Sequence, residues 1–248
     1  MKTSNFRTLY VFGDSFASLG HGGGVALNCL ANRNLGEYFD NVWIMPNPGD
    51  SGSSLGAAAL GMGKRINWHN PYLGYNIGDR YPVSSALDCL LRDGIVGVAA
   101  GRAEWGPRAL GNRSLLADPR GPDIKDRVND IKQRQRFRPF APVILAEHAD
   151  RYFELPPGFR QSPYMQTVAK CLRPDLYPAI VHIDATSRVQ TVTLDCGSGI
   201  RQLLEAWYEK TGCPMLLNTS LNVRGKPMVN TVADAQEFQK LYGVTVVT

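Results

Sequence analysis

The stretch Gly101-Arg102-Ala103-Glu104-Trp105-Gly106-Pro107-Arg108-Ala109-Leu110-Gly111-Asn112-Arg113-Ser114 sets arginines on a loop rich in glycine and proline. Such a loop can bring guanidinium forks and backbone N–H groups to one anion. It opens a basic run that continues to Arg138. Between Arg102 and Arg138 stand eight arginines and two lysines against one glutamate and four aspartates, a net +5 that equals the formal charge of the whole chain. The positive excess is therefore local, which points to a binding site more than to solubility. The run closes on a second cluster, Lys132-Gln133-Arg134-Gln135-Arg136-Phe137-Arg138-Pro139-Phe140. Guanidinium groups fixed face to face repel one another unless an anion neutralises them, and phosphate is the natural guest.

Other polar stretches could join such a site. Asn218 to Pro227 follows an apolar strand signal, and its Ser220 and Asn222 can donate to phosphate or carbonyl oxygens, although the composition also suits an ordinary turn. His182, Asp184, Thr186, Arg188 and Gln190 alternate, which on a strand places all of them on one face. That face is either solvated or lines a cleft, and the mixture of side chains favours the cleft. Asp50, between Gly49 and Gly52, reads locally as a turn. Gly22 to Gly24 would admit a nucleotide closely but lack the Lys-Ser/Thr of a P-loop. Gly13-Asp14-Ser15 resembles the first block of the SGNH/GDSL hydrolases, whose base sits in an Asp-x-x-His. The residues three before His21, His69, His148 and His182 are Ser18, Ile66, Leu145 and Ala179, so that chemistry lacks its base.

The positioning elements follow from periodicity and breakers. Thr8 to Phe12 reads as a strand, Val25 to Leu35 as a buried helix, Ser54 to Gly63 as a tightly packed helix and Gly74 to Pro82 as a polar linker. Ser84 is the expected N-cap of a helix stopped by Gly94, and Ile95 to Ala100 a buried strand that feeds the arginine loop. One or two strands are expected over His182 to Leu194, a helix over Ser198 to Gly212, and a short strand over Pro214 to Leu217. Thr231 caps a further helix, and Val244 to Val247 offers a final strand. This alternation argues an α/β or α+β fold.

The 248 residues suffice for one large or two small domains, and 44% hydrophobic with 20% charged residues is a globular composition. No run approaches the roughly 18 apolar residues of a membrane helix, and the first residues carry no signal-peptide core. Five cysteines without a CxxC pair read as reduced thiols of a cytoplasmic protein, and four scattered histidines form no HxxxH.

GGGVALNCLANRNL, NPGDSGSSLGAAAL, PYLG, GRAEWGPRALGNRSLLADPR, RPFAPVI, HIDATSRVQTV and LLNTSLNVRGKPMVNT occur in that order. Together they resemble the C-terminal part of the nodulation- and antibiotic-type O-carbamoyltransferases. The resemblance implies a YrdC-like α/β domain with a mixed twisted sheet at 81–248, preceded at 21–80 by the C-terminal remnant of an actin-like (ASKHA-type) transferase domain. Residues 1–20 form an unmatched leader. It implies that carbamoyl phosphate and ATP yield carbamoyladenylate, whose carbamoyl group passes to a hydroxylated small-molecule acceptor. Arg108, Arg113, Lys132, Arg138, Arg188, Ser220 and Asn222 would then surround carbamoyl phosphate and the adenylate. Gly23, Gly24 and Asn28 would lie at the nucleotide site of the transferase domain, and Asp50 would ligate its iron-type divalent metal. The family's histidine ligands have no counterpart here, so the metal site is expected to be incomplete and the isolated chain to stall after adenylate formation. An exposed apolar surface at 21–80 would favour a second chain that supplies the other lobe, with no membrane involved. The alternatives are an RNA-binding or regulatory module that uses the basic cleft, or an inactive truncated homologue. RNA binding would favour aromatics interleaved with the basic residues, and the run offers only Trp105, Phe137 and Phe140.

Overall fold

Short β-branched runs bounded by glycine and proline become the strands of a mixed sheet, in a computed structural model that describes residues 8–11 and 25–248. In chain order, β1 (Thr8–Val11) precedes α1 (Cys29–Arg33), β2 (Asn41–Ile44) and α2 (Ser53–Met62), and β1 pairs parallel with β2. Next come α3 (Val83–Asp93), β3 (Ile95–Ala99), β4 (Arg113–Ala117), α4 (Ile124–Ile131) and β5 (Ala141–Leu145). β6 (Phe153–Glu154), β7 (Ala169–Cys171) and β8 (Thr186–Ser187) form a small antiparallel sheet. β9 (Gln190–Val192), α5 (Ile200–Thr211), β10 (Met215–Ser220), α6 (Val232–Tyr242) and β11 (Val246–Val247) follow.

The large sheet has the order β11-β3-β4-β10-β5-β9. Its inner pairings are antiparallel, and its two edge strands, β11 and β9, join in parallel. This is the mixed α/β architecture expected from the alternation of strand and helix signals. Alternation along the strands divides the core into two layers. Val96, Val98, Leu116, Val143 and Leu216 pack with Leu90 of α3 and with Leu203 and Trp207 of α5. Ile95, Leu115, Met215 and Leu217 pack on the other side with Val128 of α4 and Phe238 of α6. Helices thus cover both faces of the sheet.

Local sequence explains where the helices stop. Gly94 and Gly212 end α3 and α5 in the left-handed conformation that glycine adopts without a Cβ penalty. Thr231 and Asp234 close a reciprocal capping box at the start of α6. Arg201 of α5 fastens that helix to the sheet edge. Its guanidinium donates to both carboxylate oxygens of Glu147 at 2.8 and 2.6 Å, to Glu205 at 2.7 Å and to the carbonyl of Val192 at 3.1 Å.

The unit built on β1 and β2 packs Ala26, Val42 and Ile44 against Phe159, which comes from the segment between β6 and β7. Hydrogen bonds among the described residues seat it on the rest of the chain. Asn32 donates through Nδ2 to the carbonyl of Gln166 at 2.8 Å, Gln166 returns Nε2 to the carbonyl of Met45 at 2.8 Å, and Val42 N–H meets the carbonyl of Gly158 at 2.8 Å. A Cβ on Gly36 would stand 1.6 Å from the carbonyl oxygen of Pro157, so only glycine allows this approach.

Several local expectations change. The buried helix at 25–35 is a 3-10 turn, the short α1 and a second 3-10 turn. α2 forms where expected but buries none of its residues, because small side chains make it packable without supplying a partner, and Leu60 stays 85% exposed. α3 begins at Val83, with Pro82 rather than Ser84 at the cap position. The 74–82 stretch is no free linker, since Gly74, Tyr75 and Ile77 hydrogen-bond to the backbone of Gly101 and Ala103. β10 runs to Ser220, so Asn218 and Thr219 belong to a strand and not to the following loop. The alternating 182–190 stretch is broken. His182 to Asp184 form an exposed turn, Ala185 sits at φ +59°, and β8 and β9 belong to different sheets. The five alternating residues therefore do not share a face. Among the described residues no helix is long and apolar enough to cross a membrane.

Replacing Arg201 by Met should destabilise the fold by roughly 1–3 kcal/mol, since its partners Glu147 and Glu205 remain half in water and recover part of their solvation. A lowered urea midpoint with an unchanged slope checks this.

Candidate functional site: a cationic cavity

The arginine loop is shaped from within by Glu104. This buried carboxylate accepts through Oε1 from the backbone N–H groups of Leu110 at 2.7 Å, Asn112 at 2.8 Å and Arg113 at 3.2 Å. Burial pushes its pKa up, and the N–H groups pull in the opposite direction. Gly111, at φ +125°, lies against α5, where a Cβ would come within 2.7 Å of the Cβ of Ile200. The Tyr81 hydroxyl donates to the carbonyl of Gly111 at 2.9 Å and clamps the loop from outside.

From this loop the arginines diverge. Arg113 opens β4 and shares the α6 face with Leu115 and Ala117 by strand alternation. It is fully buried, and its guanidinium donates to the carbonyls of Ala100 at 2.8 Å, Asn112 at 2.9 Å, Tyr75 at 2.8 Å and Asn230 at 3.2 Å. It lines a separate cavity of about 580 Å³ with Val223 and Phe238. The structure therefore does not bring Arg113 to the other arginines.

Arg108 turns the opposite way. It is half-buried, with Nη2 3.5 Å from the carbonyl of Leu27, and burial lowers its pKa. Its charge is felt by Arg188, which lines a cavity of about 470 Å³ together with Arg134, Arg138, His182 and Cys29. Burial and then the charge of Arg108 pull the Arg188 pKa down to about 10, with Arg134 and Arg138 adding to the effect. The Nε of Arg188 is shut off from solvent without a hydrogen-bond partner among the described residues. Among those residues, no carboxylate pairs with Arg108, Arg134, Arg138 or Arg188. Burial also holds the pKa of His182 down, and Asp184 opposes this.

Arg134 was not singled out by the sequence, although it stands two residues beyond Lys132. Its guanidinium lies 4.0 Å over the ring of Phe140 and donates through Nε to Asn129 at 2.6 Å. Burial, with Arg138 next, pulls its pKa to about 10. The signal in the sequence was the pairing of that arginine with a ring it could rest on.

Lys132, buried after α4, forms a second group beside Arg134. Its Nζ donates to the carbonyl of Ser220, to Ser220 Oγ at 3.0 Å and to Asn222 Oδ1 at 2.7 Å. Ser220 Oγ in turn donates to Asn222 Oδ1 at 2.6 Å. Burial first and Arg134 second bring the Lys132 pKa down to about 7. The structure thus gathers Lys132, Ser220 and Asn222 into one cluster and Arg134, Arg138 and Arg188 around the neighbouring cavity, with Arg134 felt by Lys132 and Arg108 felt by Arg188 from outside the cavity lining. Asp184 and Gln190 do not join Arg188. Asp184 accepts from Thr186, and Gln190 donates to the carbonyl of Leu110 at 3.0 Å and accepts from Asn218.

The remaining candidates lie apart. Gly23 and Gly24 fall outside the described residues. Asn28 uses its side-chain oxygen to cap α1, accepting from Leu30 and Ala31 at 3.1 and 3.2 Å. Asp50 is exposed just ahead of α2, and among the described residues no three His, Cys, Asp or Glu side chains lie close enough to hold a metal ion. The described residues therefore do not fit the iron-type ion that the resemblance implies.

The described residues thus form a mixed α/β scaffold with a cavity lined by Arg134, Arg138 and Arg188. The sequence profile described as Carbamoyltransferase C-terminus matches residues 87–248, and that described as Carbamoyltransferase N-terminus matches residues 9–59, which reaches into the stretch set apart as a leader. The chain belongs to the carbamoyltransferase family. It is similar to nodulation protein NolO of Bradyrhizobium diazoefficiens, with 37% identity over 86% of this chain and 44% of that protein. It is also similar to nodulation protein NolNO of Sinorhizobium fredii, at 36% identity over 86% of this chain and 36% of the relative. Nodulation protein U of Rhizobium tropici is 38% identical over 88% of this chain and 41% of its own length. The chain thus spans less than half the length of these relatives.

The cluster around Lys132 sets a pH dependence. Below about pH 7 its ammonium adds attraction for an anion, and above that value the charge is lost. Sulfate, which stays a dianion throughout, should bind more weakly as pH rises through about 7, and Lys132→Met should remove the step. Calorimetric titration across this range checks it.

Proposed function

We propose that this chain binds carbamoyl phosphate and ATP in the cationic cavity and forms carbamoyladenylate, the YrdC-like half of O-carbamoyl transfer. The observation that carries the reading is a cavity lined by Arg134, Arg138 and Arg188, with Arg108 near enough to be felt by Arg188 and no carboxylate partner for any of the four among the described residues. Such repulsion is relieved by a multiply charged anion, and phosphate oxygens match the planar guanidinium fork.

Atom balance defines the chemistry. Water cleaves carbamoyl phosphate to carbamate and inorganic phosphate. A carbamate oxygen then attacks the α-phosphorus of ATP, the bond to the β-bridging oxygen breaks, and pyrophosphate leaves. Charge grows on the departing oxygens, so fixed cations are most valuable there. Arg188 and Arg138 would hold phosphate oxygens, and Arg134, fixed by Phe140 and Asn129, would orient them. Lys132 would answer the charge that develops between the two clusters, with Ser220 and Asn222 holding its ammonium in place. Transfer to a hydroxylated small-molecule acceptor belongs to the same reading. The bare apolar side of α2, with Leu60 85% and Met62 55% exposed, suits a covering polypeptide.

Pyrophosphate release should require both ATP and carbamoyl phosphate. Arg188→Lys keeps the charge but loses the fork, and should lower kcat/KM at least about tenfold while leaving the fold intact. Absence of pyrophosphate with both substrates present would overturn the reading, and unchanged carbamoyl phosphate affinity in Arg188→Lys would remove Arg188 from it.

A further inference from the structure

Cys89, Cys171 and Cys213 are buried, whereas Cys29 and Cys196 are only half-buried and stand in different electrostatic surroundings. Cys196 lines a cavity of about 420 Å³ whose walls include a guanidinium and a carboxylate, Arg160 and Asp195. Its thiol donates to the carbonyl of Ser198 at 3.2 Å. Cys29 stands on the wall of the cationic cavity with Arg134, Arg138 and Arg188, and among the described residues no carboxylate shares that lining. It also lies within electrostatic range of Arg108. Independently of the thiol, the Nε of Arg188 is closed off from solvent and unpartnered among the described residues, so the cavity is short of an anion. An anion drawn to these guanidinium groups is therefore brought beside a sulfur nucleophile.

A cleft lined by one sign of charge raises the local concentration of counter-ions about 10–10³-fold. A reagent that carries both carboxylates and a disulfide satisfies the two parts of this wall. Resting on the anion-binding reading above, we propose that Cys29 is a modification site at which a small carboxylate-bearing disulfide becomes covalently attached and shuts the cationic cavity. The Cys29 thiol gives its proton to solvent, and the thiolate attacks one sulfur of the disulfide. The new bond joins Cys29 Sγ to that sulfur, the old sulfur–sulfur bond breaks, and its electron pair leaves on the second sulfur as a thiolate. The Cys29 sulfur is oxidised and the departing sulfur reduced, so the disulfide is the only oxidant the step needs. Carboxylates of the attached group then occupy Arg134, Arg138 and Arg188 in place of phosphate oxygens. A thiol reductant reverses the exchange and reopens the cavity.

Cys196 serves as the comparison within the same chain. Glutathione disulfide is the anionic probe and bis(2-hydroxyethyl) disulfide the uncharged one. The full chain is treated with each, and peptide mass spectrometry reads the rate of modification at Cys29 and Cys196. The ratio of anionic to uncharged rate should be at least about tenfold higher at Cys29 than at Cys196. Saturating sodium sulfate should abolish that preference more completely than sodium chloride of equal ionic strength. By calorimetric titration, the glutathione-modified chain should bind sulfate at least about tenfold more weakly and recover with dithiothreitol. The same treatment should leave the sulfate affinity of Cys29→Ser where it was before treatment. Equal preference at the two thiols overturns the site while the anion reading stands, whether or not Cys29→Ser folds. So does unchanged sulfate affinity in the modified chain, or the same loss in treated Cys29→Ser. If the unaltered chain binds no sulfate, the anion reading falls and the modification site falls with it.

Discussion

Backbone N–H groups of Leu110, Asn112 and Arg113 converge on one oxygen of Glu104, and the course of the arginine loop follows from that convergence. Taking a carboxylate out of water is unfavourable, and charge-assisted bonds to amides offset it only when several point at the same place. The loop must therefore bend around Glu104, and the bend brings Gly111 against α5 where a side chain would not fit. With both ends fixed, Arg108 and Arg113 leave the loop in opposite directions. Arg108 reaches the carbonyl of Leu27 within electrostatic range of Arg188, and Arg113 closes carbonyl groups of Ala100, Asn112, Tyr75 and Asn230. The division of labour between two arginines five residues apart is thus decided by a negative charge that touches neither guanidinium.

The cavity is an arrangement of like charges that the fold maintains against their repulsion. Arg134, Lys132 and Arg108 are each held by something other than an acid. Arg134 lies on Phe140 and bonds to Asn129, Lys132 is caged by Ser220 and Asn222, and Arg108 leans on a carbonyl. Neutral supports fix position without cancelling charge. Carboxylate supports would have given stable ion pairs and a weaker site. Burial first, and a neighbouring arginine second, lower the pKa values of Arg188, Arg134 and Lys132.

Backbone-level features were the most readable in the sequence. Gly94, Gly212 and Thr231 mark helix ends by rules that depend on near neighbours alone, and they stand where the pattern put them. The local charge excess likewise located the basic cavity. Glu104 was invisible because its partners are backbone N–H groups, which every sequence possesses. Arg113 looked equivalent to Arg108 because sequence carries no record of which carbonyls will surround a guanidinium. The alternation from His182 to Gln190 misled for a related reason. Period two has meaning only while the strand continues, and the turn at Ala185 interrupts it. α2 shows the converse limit: composition reveals that a helix can be packed, whereas burial needs a surface to pack against.

Cys29 belongs to the wall of the cationic cavity, yet it comes from α1, in the unit that Asn32 and Gln166 fasten to the rest of the chain. Binding in the cavity and attachment of that unit are consequently linked equilibria. An occupant that touches both sides favours the attached state by RT ln(1 + [L]/Kd), and detachment of the unit weakens the occupant by the same coupling factor. An occupant that touches Cys29 would therefore add its contacts to the hydrogen bonds that already hold this unit in place.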